Sequence, residues 1–193
     1  MPTQAERSAA MQETLVDAAV ELLIERGWAS TTAVAVCERA GCTRGALMHH
    51  YPSLSALLAH ALESIYESIT QSLKPKAERE PTLVGLLDGM WRAVGDRRFK
   101  AVLEAWAAAG NDRELAAELR PAITRFAKLV SPGGARMDDD AKAFVLVARE
   151  AMLGLALGRA TNGGNPLSHE RIVLRRLRDE AKALDRKRTR GAR

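Results

Sequence analysis

Aromatic residues are scarce in this 193-residue chain: Trp, Tyr and Phe together make up 4% of it. No sustained alternation of β-branched residues is present either. The two deficits together argue against sheets, since strands draw on those residue types at period two. No N-terminal stretch has the basic-then-apolar layout of an export signal. The two cysteines, Cys37 and Cys42, are therefore expected to be reduced thiols in a cytoplasm. Long hydrophobic runs are missing too. The longest, near 143–157, is broken by Arg149 and Glu150, so no membrane partner is expected. Also absent are a strand–glycine loop–helix phosphate cradle, a nucleophile elbow and an H-E-x-x-H pair. Neither an enzyme nor a cofactor is expected. His49, His50 and His60 do not make a metal site: adjacent histidines on a helix point about 100° apart, and neither His49 nor His50 has an acidic residue three or four places on.

Positive charge is lacking where a nucleic-acid binder would be expected to show it. The formal net charge is +5, yet residues 1–55 hold four basic residues against six acidic ones. The surplus sits at the other end, where residues 168–193 hold ten Lys and Arg against four Asp and Glu. Bulk charge therefore says nothing for DNA binding, and any such reading has to rest on a motif.

What is present is a hydrophobic content of 47%, rich in Ala and Leu, which favours an all-α fold with a real core. The most informative stretch is 31–58, TTAVAVCERAGCTRGALMHHYPSLSALL. Thr32 is placed to cap a short helix in which Val36, Cys37 and Ala40 recur at helical spacing. Gly41 follows as the left-handed residue that ends it, with Cys42 expected to contact Cys37. Thr43 caps a second helix of about 43–49, stapled by Cys42 and Leu47 and stopped before Pro52. That helix is barely two turns long, so Arg44, Gly45, Met48 and His49 are presented outward. Two short helices about a glycine turn make a helix-turn-helix, whose second helix enters the DNA major groove.

The run A-G-x-[ST]-x-G-x-L, then a His-aromatic pair and a capped helix, resembles the DNA-binding half of the TetR family of transcriptional regulators. The likeness covers about 12–58. It implies a sequence-specific, cytoplasmic regulator, more a repressor than an activator, released by a small apolar or aromatic effector and working as a homodimer on a double-stranded operator. On the family's pattern, Thr32 and Thr43 meet phosphates, Arg44 is the candidate for a base contact, Gly45 leaves room for close approach, and His49 and His50 face backbone or base edge. Two positions depart from the pattern. Met48 stands in place of the usual tyrosine and Leu54 in place of the usual lysine, each removing a phosphate contact. These departures leave a competing reading, a small-molecule-binding or interaction protein that kept the fold and lost operator recognition.

Around this stretch the sequence lays out about nine helices. Residues 1–10 read as a mobile arm. A first helix of about 8–26 carries Leu15, Ala18, Ala19, Leu22 and Leu23, and ends at Gly27 with Trp28 folded back on Leu23. The helix-turn-helix domain is expected over 1–53 and a helical effector-binding and dimerisation domain over 54–185. A helix of about 53–73, broken at Lys74, Pro75 and Lys76, links them. Helices across 82–130 carry three apolar stripes, the third interrupted by Pro121. The resemblance assigns a pocket here and in the next helix, with Met90, Trp91, Phe99, Leu103, Trp106, Phe126 and Met152 as its candidate lining. Residues 131–134 read as a loop, and Asp138, Asp139 and Asp140 as a helix start. A last helix is expected from a Ser168 cap, stapled by Leu167 and Ile172. The small residues Ala151, Gly154 and Gly158 and the narrow stripe Leu174, Leu177 and Ala181 suit helix–helix contact, and the resemblance assigns them to the dimer. Residues 186–193 read as a basic disordered tail.

Overall fold

The computed structural model of the chain describes residues 3–73, 82–130 and 137–191, with the side chains of 72, 73, 125–130 and 191 outside that description. Those residues form nine α-helices and no strand. They fall into two compact units, 1–69 with 97–126, and 70–96 with 127–193.

In the first unit α1 (Gln4–Arg26) buries Leu15, Ala18, Ala19, Leu22 and Leu23 as its stripe predicts. It starts earlier than the sequence suggested. Thr3 and Glu6 form a reciprocal capping box, so the expected mobile arm is helical from Gln4. The other end also differs. Gly27 takes φ +80° and donates its own N–H to the Leu23 carbonyl, while the Trp28 N–H donates to Glu104 Oε2 at 2.7 Å. A Cβ on Gly27 would push that carboxylate off the Trp28 N–H, and the positive φ favours glycine there in its own right. Glu104 stands on α6 (Phe99–Ala109), which packs on α1.

Helices α2 (Ala33–Ala40) and α3 (Arg44–His50) follow, both packed on α1. Then comes α4 (Leu54–Leu73), opened by Ser53 Oγ accepting from the Ala56 N–H at 3.0 Å. Its Leu57, Leu58, Ala61, Leu62, Ile65 and Ile69 are all buried. In α7 (Arg113–Val130) the helix runs on through Pro121, where the sequence suggested an interruption. Its start is fixed by Asp112 Oδ1, which accepts from the N–H groups of Glu114 and Leu115. The predicted break at Lys74, Pro75 and Lys76 and the loop at 131–134 lie outside the described residues.

In the second unit α5 (Leu83–Gly95) packs against α8 (Asp139–Thr161) and α9 (Glu170–Gly191). Leu83, Leu87, Met90, Phe144, Ala148, Met152, Leu177 and Ala181 meet in one core. Polar groups lock the three helices in register. Asp185 of α9 accepts from the Leu83 and Val84 N–H groups at 2.9 and 3.2 Å, satisfying the free donors at the start of α5. Arg159 of α8 forms a two-pronged pair with Glu170 of α9, both contacts 2.6 Å, and its guanidinium lies 4.5 Å from the centre of the Trp91 ring.

Two expectations about α9 need correcting. The stretch read as a disordered tail is helical to Gly191, because α9 keeps helix-forming residues to its end and docks through Ala181, Leu184 and Asp185. The staple of Leu167 with Ile172 does not form, since Ile172 is 60% exposed. Leu167 instead packs over Gly158, where a Cβ would make its side-chain end shift, and α9 begins at Glu170 rather than at a Ser168 cap.

Candidate nucleic-acid interface

The reading head is built by local rules. Thr32 Oγ1 accepts from the Ala35 N–H and Thr43 Oγ1 from the Ala46 N–H, each at 3.2 Å. Both hydroxyls therefore spend an acceptor lone pair on the helix and keep a proton to donate outward. Between the helices Gly41 sits at φ +64°, and the Cys42 N–H reaches back to the Cys37 carbonyl at 3.0 Å, as the turn chemistry predicts. Burial pushes the Cys42 thiol up, with Cys37 beside it adding to the shift.

One residue anchors α3 from beneath: Leu47 is fully buried. The end of α3 is pinned by Tyr51, whose N–H donates to the Leu47 carbonyl at 2.9 Å and whose hydroxyl is hydrogen-bonded to Nδ1 of His60 on α4 at 2.8 Å. With its buried side so committed, α3 turns the rest outward. Thr43, Arg44, Gly45, Met48 and His49 are exposed, His50 is half-buried, and Thr32 is exposed at the head of α2.

The cations of this region are unequally employed. Arg39 is held by Glu25 at 2.6 Å and Glu21 at 3.2 Å, and the Arg39 hydrogen bond is the main reason the Glu25 carboxyl sits below its ordinary range. Arg44 makes no ion pair among the described residues. A Cβ on Gly45 would meet Thr43 Oγ1 at 3.7 Å, an ordinary contact, so the fold itself does not demand glycine there. The exposed bare backbone leaves room for an object from outside.

The remaining candidates are divided between the two units. Phe99, Leu103 and Trp106 belong to the first unit, where Phe99 and Trp106 meet edge to face at 6.1 Å. The Trp106 indole N–H donates to the Tyr66 hydroxyl at 2.8 Å, and burial drives the Tyr66 phenol far above its ordinary range. Met90, Trp91 and Met152 belong to the second unit, with Met90 and Met152 in its core. The side chain of Phe126 lies outside the described residues. Among the dimer candidates, Leu177 and Ala181 are used up inside the chain's own core, Ala151, Gly158 and Leu174 are half-buried, and Gly154 is exposed. Gly154, Gly158, Leu167 and His169 line an open cleft of about 700 Å³. Sequence reading passed over Glu104 and Arg159, because their partners are remote and no local pattern marks them.

A helix-turn-helix with this outward face belongs to a DNA-binding regulator, and comparison with known proteins agrees. Residues 15–61 match the family model for bacterial regulatory proteins of the tetR family. The chain is 31% identical over 171 residues to the HTH-type transcriptional regulator CymR of Pseudomonas putida, covering 80% of this chain and 82% of that protein. It belongs to the TetR family of transcriptional regulators. Its fold is shared by a transcriptional regulator of Rhodococcus sp. Rha1, at TM-score 0.65 and 19% identity over 89% of this chain and 94% of that one. It is shared too by the multidrug binding protein EbrR complexed with proflavin, at TM-score 0.63 and 23% identity over 86% and 99%. Among the described residues no helix is long and apolar enough to cross a membrane.

Proposed function

We propose that this regulator is a homodimeric repressor that reads a roughly palindromic operator through α3 and lets go when a small apolar or aromatic molecule binds its C-terminal helices. One observation carries the reading: Arg44 stands exposed, with no ion pair among the described residues, beside the uncovered backbone of Gly45 on a helix whose other side is anchored by Leu47. Arginine offers two parallel donors that match O6 and N7 of guanine, and an unpaired one costs no ion pair to recruit. The hydroxyls of Thr32 and Thr43 hold phosphates on either side. Residues 1–53 act as the reader, and 54–185 as the effector and dimerisation part.

The dimer is assigned to the outer face of α8. Leu146, Val147 and Leu157 are about half exposed or more there, and Gly154 permits close approach. Two copies so joined set their α3 helices into successive major grooves, about 34–36 Å apart. For the effector, Phe99, Leu103 and Trp106 offer an apolar wall with the Tyr66 hydroxyl beside it. The relative EbrR, a multidrug binding protein solved with proflavin, supports that reading. Effector binding is expected to weaken operator affinity by a coupling of about 1–3 kcal/mol.

The test is a gel shift of the full-length protein against the duplex flanking its own gene, alongside a random duplex of equal length. Tighter retention of the flanking duplex, as a complex of two chains, is the expected result. Equal retention of both would leave a fold without operator recognition.

A further inference from the structure

Met48 is an unexplained residue on the reading face. It is 45% exposed. On α3 it lies four residues from Arg44 and three from Gly45, so the three share one face. An exposed thioether contributes nothing to phosphate binding, since it carries no charge and only a weak acceptor. In a major groove, however, a long flexible apolar side chain has one natural partner. The C5-methyl group of thymine is the apolar feature that distinguishes base edges there. Gly45 adds the depth: around the helix Met48 lies between Arg44 and Gly45, and with no Cβ at Gly45 the backbone can come close to the groove floor, where a side chain of Met length reaches the base edges.

We propose that Met48 is a specificity-determining residue that reads a thymine methyl group, next to the guanine read by Arg44. The spacing follows from helix geometry. Four residues at 1.5 Å rise place Met48 about 6 Å along α3 from Arg44, roughly two base steps of 3.4 Å. Each operator half-site then carries a thymine, on one strand or the other, within two base pairs of that guanine. Met48 is suited to this work because its unbranched, polarisable chain adjusts to a methyl group at more than one angle. This inference rests on the operator reading above and names what that reading recognises.

The experiment selects duplexes from a random pool with the full-length protein, then replaces the half-site thymine by deoxyuridine, which removes the methyl group and keeps every hydrogen-bonding atom. The wild-type protein is expected to lose about fourfold in affinity, the worth of one buried methyl group. Met48→Ala is expected to bind the thymine duplex about as weakly as wild type binds the uracil one, and to be indifferent to the exchange. Met48→Leu is expected to restore most of the difference. Selected half-sites with no thymine near a guanine, or equal sensitivity to uracil in wild type and Met48→Ala, would overturn the assignment while leaving operator recognition standing. A pool that yields no preferred sequence overturns both.

Discussion

Cations crowd α9 and are rare around α3, and in each region some are spent on ion pairs while others face outward. On α9, Arg178 pairs with Asp88, Lys187 with Asp140, Arg176 with Glu180 and Arg188 with Asp185. Their charge holds helices together or is matched along the helix itself. Around α3 the local balance is negative, Arg39 is taken by Glu21 and Glu25, and Arg44 alone is left facing outward without an ion pair among the described residues. Charge density therefore marks the wrong end of this molecule. Arg171, Arg175, Lys182, Arg186 and Arg190 on α9 are also exposed without an ion pair among the described residues, so what singles out Arg44 is its place on the helix-turn-helix and not its lack of a partner.

The comparison is tested most strongly where a cation is structural. Arg159→Ala strips Glu170, only 7% exposed, of its partner and uncovers Trp91. A loss of about 2–3 kcal/mol is expected from urea unfolding, reduced from the fully buried case because Arg159 keeps partial contact with water. Acid unfolding adds a sign. The hydrogen bond from Arg159 is the main cause holding the Glu170 carboxyl below its ordinary 4.5, so the pair stabilises the fold above that pH and fades as pH falls through the lowered value. The variant is expected to lose that acid-side slope. Arg44→Ala should do the reverse: roughly 10- to 100-fold weaker operator binding, about 1–3 kcal/mol, with specificity relaxed at one base pair. Its unfolding midpoint is expected to stay within about 0.5 kcal/mol of wild type. If operator and random duplex weaken equally, Arg44 only holds phosphate and the contrast with α9 collapses.

Gly45→Ala sharpens the contrast within α3 itself. The added methyl meets nothing tighter than an ordinary contact, so thermal stability is expected to rise by up to about 1 kcal/mol while operator affinity falls. Affinity rising with stability would show that the gap at Gly45 serves nothing outside. The smallest effect is expected on α9. Changing Arg175, Lys182 and Arg186 together to Ala should alter operator affinity by no more than about twofold at physiological salt, where screening acts within about 8 Å. A drop in the salt dependence of binding by several units would give α9 a direct part in holding DNA.

Legibility from sequence followed distance along the chain. Thr32, Gly41, Thr43 and the Cys37–Cys42 turn were all readable because each acts on groups three to five residues away, and the structure makes those same bonds. The stripe on α1 was readable for the same reason. Failures came where a remote partner decided the outcome. Thr3 with Glu6 was local and simply passed over, but Trp28 is claimed by Glu104 and the start of α5 by Asp185, neither foreseeable from spacing. Leu177 and Ala181 have the pattern of a helix seam, and periodicity cannot say whether the facing helix comes from the same chain or another. Here it comes from the same chain. Among the candidate effector residues Phe99 and Trp106 fall in one unit and Met90 and Met152 in the other, and helical spacing alone cannot say which of them meet.

The carboxylate that finishes α1 has a consequence for the order of assembly. During synthesis the first helix leaves the ribosome well before α6 exists, and the Trp28 amide must wait 76 residues for Glu104 to arrive. Until then water alone meets that donor beside the left-handed Gly27. A reading head cut free at residue 58 keeps that loose end permanently, so the part that meets DNA depends for its completion on a helix made long after it.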